Sequence, residues 1–184
     1  MLPGEIGLVK EAKRGNEQAF LALYCHHRTP LFRFVCRLSG SVTLAEDVTQ
    51  ECFLALVRGA DFKASRGSLQ AYLFGMARNL VFRRLRIAER ESEEDSDAAA
   101  PADVLGELLA SERAALVADA VGNLPPFQRE AIVLFEYEEL SLDEIASITG
   151  VDVSAVKARL HRARESLRKR LAPLLARDSE RSCS

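Results

Sequence analysis

The side chains best suited to bind a partner lie between residues 153 and 170, where seven lysines and arginines are opposed by one acidic residue, Glu165. Apolar residues recur in the same stretch with helical spacing, at Val156, Leu160, Ala163 and Leu167. A helix that has one buried apolar stripe and a cationic surface elsewhere is suited to bind a polyanion. The candidate residues for contacts in a DNA major groove are Ser154, Ala155, Lys157, Ala158, Arg159, His161 and Arg162.

The residues before this helix predict how it is held. Ala146, Gly150 and Val156 have the spacing of a helix-turn-helix, in which a small residue permits close approach and a glycine takes the strained turn. Ser141 begins a capping box ahead of the first helix, and Asp152 is placed to cap the second. The charges could also be a merely solvated helix face, but the turn pattern favours DNA binding.

A second group of candidate residues lies on a long helix predicted from Ser68 to Arg90. One face of this helix combines the amide of Asn79 with the ring of Phe82 and with arginines, a mixture that suits unpaired bases. The preceding loop, residues 62–68, could close a pocket over a flipped base. The alternative is that Phe82 packs internally and that the arginines only solvate the helix.

The rest of the chain reads as helical, with no strand alternation. Segments 6–14, 17–27, 30–38 and 44–58 show apolar residues three and four apart, and Gly15, Pro30 and Gly40 separate them. We therefore predict an all-α fold of two small helical domains joined by a flexible acidic linker. The predicted ranges are 1–90 for the first domain, 91–104 for the linker, 105–176 for the second domain and 177–184 for a disordered tail.

Composition narrows the function classes. The net charge of the 184 residues is only −2, but basic and acidic residues are segregated along the chain. No apolar run is long enough to span a bilayer and no signal-peptide pattern is present, which predicts a soluble cytoplasmic protein without membrane insertion.

The cysteines and histidines do not predict a metal site. Cys25, Cys36, Cys52 and Cys183 lack paired ligand spacing. Cys25 is followed by two histidines, but adjacent side chains on a helix diverge, so we expect no metal and no cofactor here. The absence of a phosphate-binding glycine loop and of a nucleophile with a base argues against an enzyme.

Two series of residues resemble a known family. The first is Ala45, Glu46, Asp47, Gln50, Glu51, Phe53, Tyr72, Leu73, Ala77, Arg78 and Asn79, which is similar to the second conserved region of bacterial extracytoplasmic-function (ECF) sigma factors of the sigma-70 superfamily. The later series resembles the fourth region of the same family and comprises Leu124, Pro125, Gln128, Arg129, Leu134, Glu144, Ile145, Ala146, Gly150, Val153, Val156, Lys157, Arg159, Leu160, Arg162, Ala163 and Arg164. The chain departs from the family in lacking tryptophan and in having Ala155 where a threonine is common.

The resemblance implies a dissociable subunit that gives bacterial RNA polymerase its promoter specificity. In that family the first domain binds a coiled coil of the largest core subunit and captures the melted minus-10 strand. The second domain binds the flap of the other large subunit and reads the minus-35 duplex. An anti-sigma factor is implied as an inhibitor that covers both polymerase-binding surfaces.

The family's site residues carry over by position. The resemblance assigns Asp47, Gln50 and Glu51 to polymerase, and the face of the basic helix named above to the minus-35 element. It assigns to the minus-10 strand the residues Phe62, Lys63, Ser65, Arg66, Ser68, Arg78, Asn79, Phe82, Arg83 and Arg86. The main alternative is an autonomous helix-turn-helix activator or repressor, which would bind duplex operators without polymerase and would have no use for Asn79 and its neighbours.

Overall fold

The computed structural model of the chain describes residues 4–59, 61–92 and 112–181. Within those ranges the secondary structure is helical and no strand is present, so the all-α prediction is confirmed. The helices are α1 (Glu5–Lys13), α2 (Glu17–Ser39), α3 (Val42–Val57), α4 (Leu69–Ser92), α5 (Glu112–Gly122), α6 (Pro126–Ile132), α7 (Leu142–Thr149) and α8 (Val153–Arg181). The chain divides into two compact units, Met1–Pro101 and Ala102–Ser184.

Helix α2 is one continuous helix, whereas the sequence predicted two helices separated at Pro30. An interior proline costs a helix roughly 3 kcal/mol because it removes a hydrogen bond and crowds the preceding turn. Leu31, Phe34 and Val35 directly after it are at most 1% exposed. Burial of each such side chain contributes about 1.5 to 3 kcal/mol, so packing of the second half of the helix outweighs the proline.

The junction between α2 and α3 is fixed by local backbone chemistry. Gly40 ends α2 in the left-handed conformation at φ 74°, and its N–H donates to the Cys36 carbonyl at 2.8 Å. The hydroxyl of Ser41 then caps α3 by accepting from the backbone N–H of Leu44 at 3.2 Å. The spacing of Thr43 and Glu46 predicts a capping box that begins at Thr43, and this is wrong because the helix already begins at Val42 with Ser41 as its cap.

The core of the first unit lies where α2, α3 and α4 meet. The rings of Phe34 on α2 and Phe74 on α4 have centroids 4.8 Å apart, and both side chains are fully buried. Helical spacing predicts an inner stripe of α4 at Leu69, Leu73, Met76, Ala77 and Leu80. Leu69, Leu73 and Ala77 are buried, whereas Met76 and Leu80 are half-buried. This packing leaves the opposite faces of α3 and α4 on the surface of the unit.

Helix α1 is joined to α2 by a buried polar pair. The Nε2 atom of His27 lies 2.9 Å from Oε1 of Glu5, and both side chains are buried. Burial lowers the pKa of His27, while the hydrogen bond to Glu5 and the charge of that carboxylate oppose the shift. Val9 and Ala12 complete the buried face of α1.

In the second unit α6 passes through a π-helical turn, Val133–Tyr137, and packs against α8 with α7 beside them. The buried residues here include Ile132, Leu134 and Ile145. Helix α8 continues through Pro173 to Arg181, whereas the sequence predicted a disordered tail from Arg177. Extending an existing helix requires no new nucleation, so the segment continues the helix past its packed part. Residues 182–184 lie outside the description.

Helix α4 includes the first two residues of the range 91–104 that was predicted as the acidic linker. The rest of that range falls among residues 93–111, which the structure does not describe. The predicted start of the second domain at residue 105 lies in the same gap.

Candidate nucleic-acid and protein interfaces

The helix-turn-helix of the second unit has the predicted capping and turn. Ser141 accepts a hydrogen bond from the Glu144 N–H at 3.3 Å, and the Glu144 carboxylate accepts from the Ser141 N–H at 3.0 Å. Gly150 takes the left-handed conformation at φ 70°, and its N–H donates to the Ala146 carbonyl at 2.9 Å. The capping box and the glycine turn are therefore confirmed.

Asp152 caps the start of α8. Its carboxylate accepts hydrogen bonds from the Ala155 N–H and the Ser154 hydroxyl, both at 2.7 Å. These bonds, the Ser154 bond foremost, lower the pKa of Asp152 because they favour its charged form. Part of the Ser154 side chain is thus engaged in capping, although the residue remains exposed.

Helix α8 has a buried face and an exposed face. Val156, Leu160 and Ala163 are buried, as predicted, whereas Leu167 is only half-buried. The exposed candidates on the opposite side are Ser154, Lys157, Ala158, His161 and Arg162, and Ala155 is half-buried between the two faces. Four neighbouring residues of α8 therefore form one exposed surface, and two of them are cationic. They are Lys157, Ala158, His161 and Arg162.

Arg159 does not belong to that surface. Its Nη1 atom lies 3.6 Å from Oε2 of Glu130, and its guanidinium lies 5.0 Å from the ring centroid of Phe127. Its position on the helix turns it toward the buried carboxylate of α6, and its contact with the minus-35 element stays a prediction. Arg129 precedes Glu130 in α6, and burial lowers the pKa of its guanidinium.

On α4 the candidate residues form a connected polar surface. Asn79 is exposed, and its Oδ1 accepts a hydrogen bond from Nη1 of Arg78 at 3.2 Å. The same guanidinium lies 5.0 Å from the ring centroid of Phe82, which is half-buried. Arg83 and Arg86 are exposed on the turns that follow. Amide, ring and cations thus lie side by side, as the sequence predicted for the helix face.

The loop before α4 is arranged around Phe62. Its ring centroid is 5.4 Å from that of Tyr72, and burial together with Asp61 raises the pKa of the Tyr72 phenol. Lys63 and Ser65 are exposed, and Lys63 forms an ion pair with Asp61 at 3.0 Å. The side chain of Arg66 lies outside the description.

Ser68 has a structural task that the sequence analysis did not assign to it. Its hydroxyl accepts a hydrogen bond from the Ala71 N–H at 3.1 Å and so caps the start of α4. The residue is half-buried. Ser68 thereby fixes the point where the loop ends and α4 begins, and its part in closing a pocket stays a prediction.

The candidates for polymerase binding border a surface depression of about 470 Å³ in the first unit. Asp47 and Gln50 are exposed on α3, and Leu54 one turn further is 48% exposed. Sequence reasoning missed Leu54, Arg58 and Arg84, which also line the depression. Local sequence patterns do not reveal these three residues as part of the depression, because its lining is defined only once α3 and α4 are packed together.

Glu51 connects this depression to the polar surface of α4. Its carboxylate accepts a hydrogen bond from Nη2 of Arg84 at 2.6 Å and lies 3.5 Å from Nη2 of Arg83. Glu51 was a candidate for polymerase and Arg83 a candidate for DNA. The two predicted surfaces are therefore adjacent and share an ion pair.

No helix among the described residues combines the length and the apolar character needed to cross a bilayer. The described residues do bring Glu5, His26 and His27 together at the junction of α1 and α2. Glu5 is distant from the two histidines in the chain, so no local spacing places it beside them.

Comparison with known families matches both units. Sigma-70 region 2 matches residues 23–91, and sigma-70 region 4 matches residues 105–167. The chain is 31% identical over 182 residues to the ECF RNA polymerase sigma factor SigW of Bacillus subtilis, covering 90% of this chain and 96% of that protein. It is 36% identical over 152 residues to the ECF RNA polymerase sigma factor SigE of Mycolicibacterium smegmatis, covering 79% of this chain and 59% of that protein.

Two solved structures are similar in fold and sequence. The sigma factor RpoE bound to the anti-sigma factor NepR, from Bartonella quintana, matches with a TM-score of 0.69 and 27% identity over 83% of this chain and 96% of that one. CnrH in complex with the cytosolic domain of CnrY matches with a TM-score of 0.66 and 27% identity over 96% of this chain and 99% of that one.

Proposed function

The chain belongs to the ECF sigma factors of RNA polymerase, and we propose that its first unit binds a melted promoter strand and its second unit binds the promoter duplex. As a sigma factor it directs transcription initiation at specific promoters with core RNA polymerase and promoter DNA as partners. The observation that carries the division of labour is the presence, in one chain, of an open helix-turn-helix face and of the surface formed by Asn79, Arg78 and Phe82.

The first unit is assigned the minus-10 strand. A base freed from its pair offers a flat ring and an unoccupied hydrogen-bonding edge. Phe82 and the guanidinium of Arg78 supply planes for stacking, and the exposed amide of Asn79 supplies both a donor and an acceptor. Arg83 and Arg86 lie close enough on the helix to neutralise the backbone of the same strand. The loop at Phe62 borders the start of the same helix.

The second unit is assigned the minus-35 duplex. The major groove admits an α-helix, and residues on the exposed face near the helix start can reach base edges. Lys157, Ala158, His161 and Arg162 occupy this face. Arg168, Lys169 and Arg170 lie further along α8 and are exposed, where they suit phosphate contacts.

Polymerase is assigned the depression bordered by Asp47, Gln50 and Glu51. Carboxylates at its edge favour a basic partner surface, and the exposed Leu54 supplies apolar area that a partner would bury. In the same proposal the coiled coil of the largest core subunit binds the first unit, and the flap of the other large subunit binds the second. Two modest DNA contacts on one chain then reinforce each other through effective concentration.

An anti-sigma factor is proposed as the inhibitor of this chain. Support comes from a similar solved structure, in which the sigma factor RpoE is bound by the anti-sigma factor NepR. Such an inhibitor would act by covering the surfaces that polymerase needs. Its binding should therefore compete with core polymerase rather than add to it.

Binding of the full chain to core polymerase tests the assignment of the depression. Fluorescently labelled protein is titrated with core enzyme, and Asp47→Ala should weaken binding at least about tenfold if the exposed carboxylate meets a basic partner. Glu17→Ala is the matched control, because Glu17 is an exposed acidic residue at the start of α2 and away from the depression. Equal affinities of the Asp47→Ala and Glu17→Ala chains would contradict the proposal.

A further inference from the structure

We infer that Glu5, His26 and His27 form a binding site for a divalent first-row transition-metal ion of the Zn²⁺ type. This site would lie at the junction of α1 and α2, apart from the residues assigned above to DNA and polymerase. It goes beyond the proposed function, which requires no metal.

The ligand geometry is the first support. One ligand atom from each of the three side chains lies within 4.8 Å of the other two. Bonds of about 2.0 to 2.2 Å from Zn²⁺ to nitrogen or carboxylate oxygen separate neighbouring ligands in a tetrahedron by about 3.3 Å. Glu5 Oε1 and His27 Nε2, now 2.9 Å apart, need to separate by only a few tenths of an ångström. His26, whose ligand atom lies within 4.8 Å of the other two, would have to move closer by a rotation of its side chain.

The two histidines are neighbours in sequence, which ordinarily makes their side chains diverge on a helix. In this structure their ring centroids are 4.7 Å apart and the rings meet edge to face. Glu5 reaches both from another helix. Convergence thus depends on the docking of α1, a contact that the sequence pattern alone does not reveal.

Burial and chemistry are the second support. Glu5 is 6% exposed and His27 is 4% exposed, so the carboxylate and the imidazole contact each other at a buried position. A metal ion would take the place of the proton between them, and the carboxylate would balance part of its charge. His26 is exposed and would provide both the third ligand and the side from which the ion enters. Two histidines and one carboxylate, with water completing the coordination, are a ligand set that Zn²⁺ accepts.

Metal binding would couple to the stability of the first unit. The ligands come from α1 and α2, so the ion binds the folded unit and holds α1 in place. A ligand present at 100 times its dissociation constant raises the ratio of folded to unfolded protein about 100-fold. The unfolding temperature of the unit should therefore rise with the concentration of free Zn²⁺.

The test uses the untagged full chain, freed of metal with a chelator and kept reduced. Competition with a chromophoric zinc chelator measures stoichiometry and affinity, and thermal unfolding with and without ZnCl₂ measures the shift. We expect one Zn²⁺ per chain and an upward shift that MgCl₂ does not produce.

Three variants test whether Glu5 and His26 bind the ion and whether the thiol of Cys25 does not. His26→Ala removes an exposed ring and leaves the buried pair in place, so this chain should fold normally and bind Zn²⁺ at least about tenfold more weakly. Glu5→Gln keeps a hydrogen-bonding side chain beside His27 but removes the carboxylate, and should lose binding in the same way. Cys25→Ser is the matched control and should bind Zn²⁺ as the parent does, since the exposed thiol is not among the proposed ligands.

The inference is overturned by any of three results. These are a parent chain that binds no Zn²⁺, a His26→Ala chain that binds it with unchanged affinity, and loss of binding in Cys25→Ser.

Discussion

Nη1 of Arg159 lies 3.6 Å from Oε2 of Glu130, a carboxylate that is completely buried beneath the DNA-binding helix. Sequence patterns place Arg159 in a run of cations, yet the structure separates it from them. Its charge faces the interior of the second unit, where it counters the buried negative charge of α6. Arg159 therefore belongs to the support of the helix-turn-helix, whereas Lys157 and Arg162 belong to its exposed surface.

The first prediction concerns stability. Arg159→Ala should lower the free energy of unfolding of the second unit by about 3 kcal/mol, because it removes a counter-charge from a buried carboxylate. Arg162→Ala should change it by less than about 0.5 kcal/mol, because Arg162 is exposed. Chemical unfolding followed by circular dichroism measures both. Equal free energies of unfolding of the two variants would contradict a stabilising role of Arg159 beside Glu130.

The second prediction concerns the minus-35 duplex. Arg162→Ala should weaken holoenzyme binding to the preferred upstream element by about 1 to 3 kcal/mol and should reduce discrimination against altered elements. Arg168→Ala should weaken binding to all sequences alike and flatten the salt dependence, as expected of a phosphate contact. Band-shift titrations at several salt concentrations distinguish the two. A uniform loss in Arg162→Ala would mean that this residue contacts phosphate instead of a base.

The third prediction concerns strand separation. Asn79 is exposed, and its Oδ1 accepts a hydrogen bond from the neighbouring Arg78, so Asn79→Ala should leave the fold intact but slow promoter opening. Docking on the duplex should change little. Permanganate reactivity of unpaired thymines reports opening, and band shifts report docking. The control is a promoter whose minus-10 element is already unpaired by mismatches. On it the variant should form the open complex at nearly the parent rate if the amide acts while a base is being captured. A defect in duplex docking equal to the defect in opening would refute this role.

The fourth prediction concerns the thiols. Burial raises the pKa of Cys36 to about 11 and that of Cys52 to about 12, whereas Cys25 is exposed. In a Cys183→Ser chain at pH 8, a thiol reagent should modify Cys25 rapidly and the other two only after unfolding, since the thiolate is the reactive form. Peptide mapping after timed labelling identifies the modified residues. Rapid modification of Cys52 in the folded chain would contradict the packing of α3 against α4.

Features set by neighbouring residues could be predicted from the sequence. The capping box at Ser141, the turn at Gly150 and the buried positions Val156, Leu160 and Ala163 of α8 depend on spacings of a few residues, and all of them are present. The apolar positions of α4 follow from the same helical periodicity. Local patterns thus predicted the two helical units and most of the side chains that face outward.

Features set by residues distant in the chain could not be predicted. The partner of Arg159 lies 29 positions earlier, and the partners of Glu51 lie on the next long helix. The continuity of α2 through Pro30 likewise depends on packing that no local pattern expresses. In α2 the tertiary packing outweighs a proline cost of roughly 3 kcal/mol, and the ion pairs depend on which helices meet.

Run-off transcription with purified core RNA polymerase tests the central claim most directly, because it requires both units to act on one promoter. A library of promoter sequences is transcribed with the full chain, and the start sites are read by sequencing. The account predicts transcripts that depend on the added chain and share a minus-10 and a minus-35 element, with Asn79→Ala and Arg162→Ala each reducing their yield. Start sites that are the same with and without the chain, under conditions in which it is folded and free of inhibitor, would contradict the account.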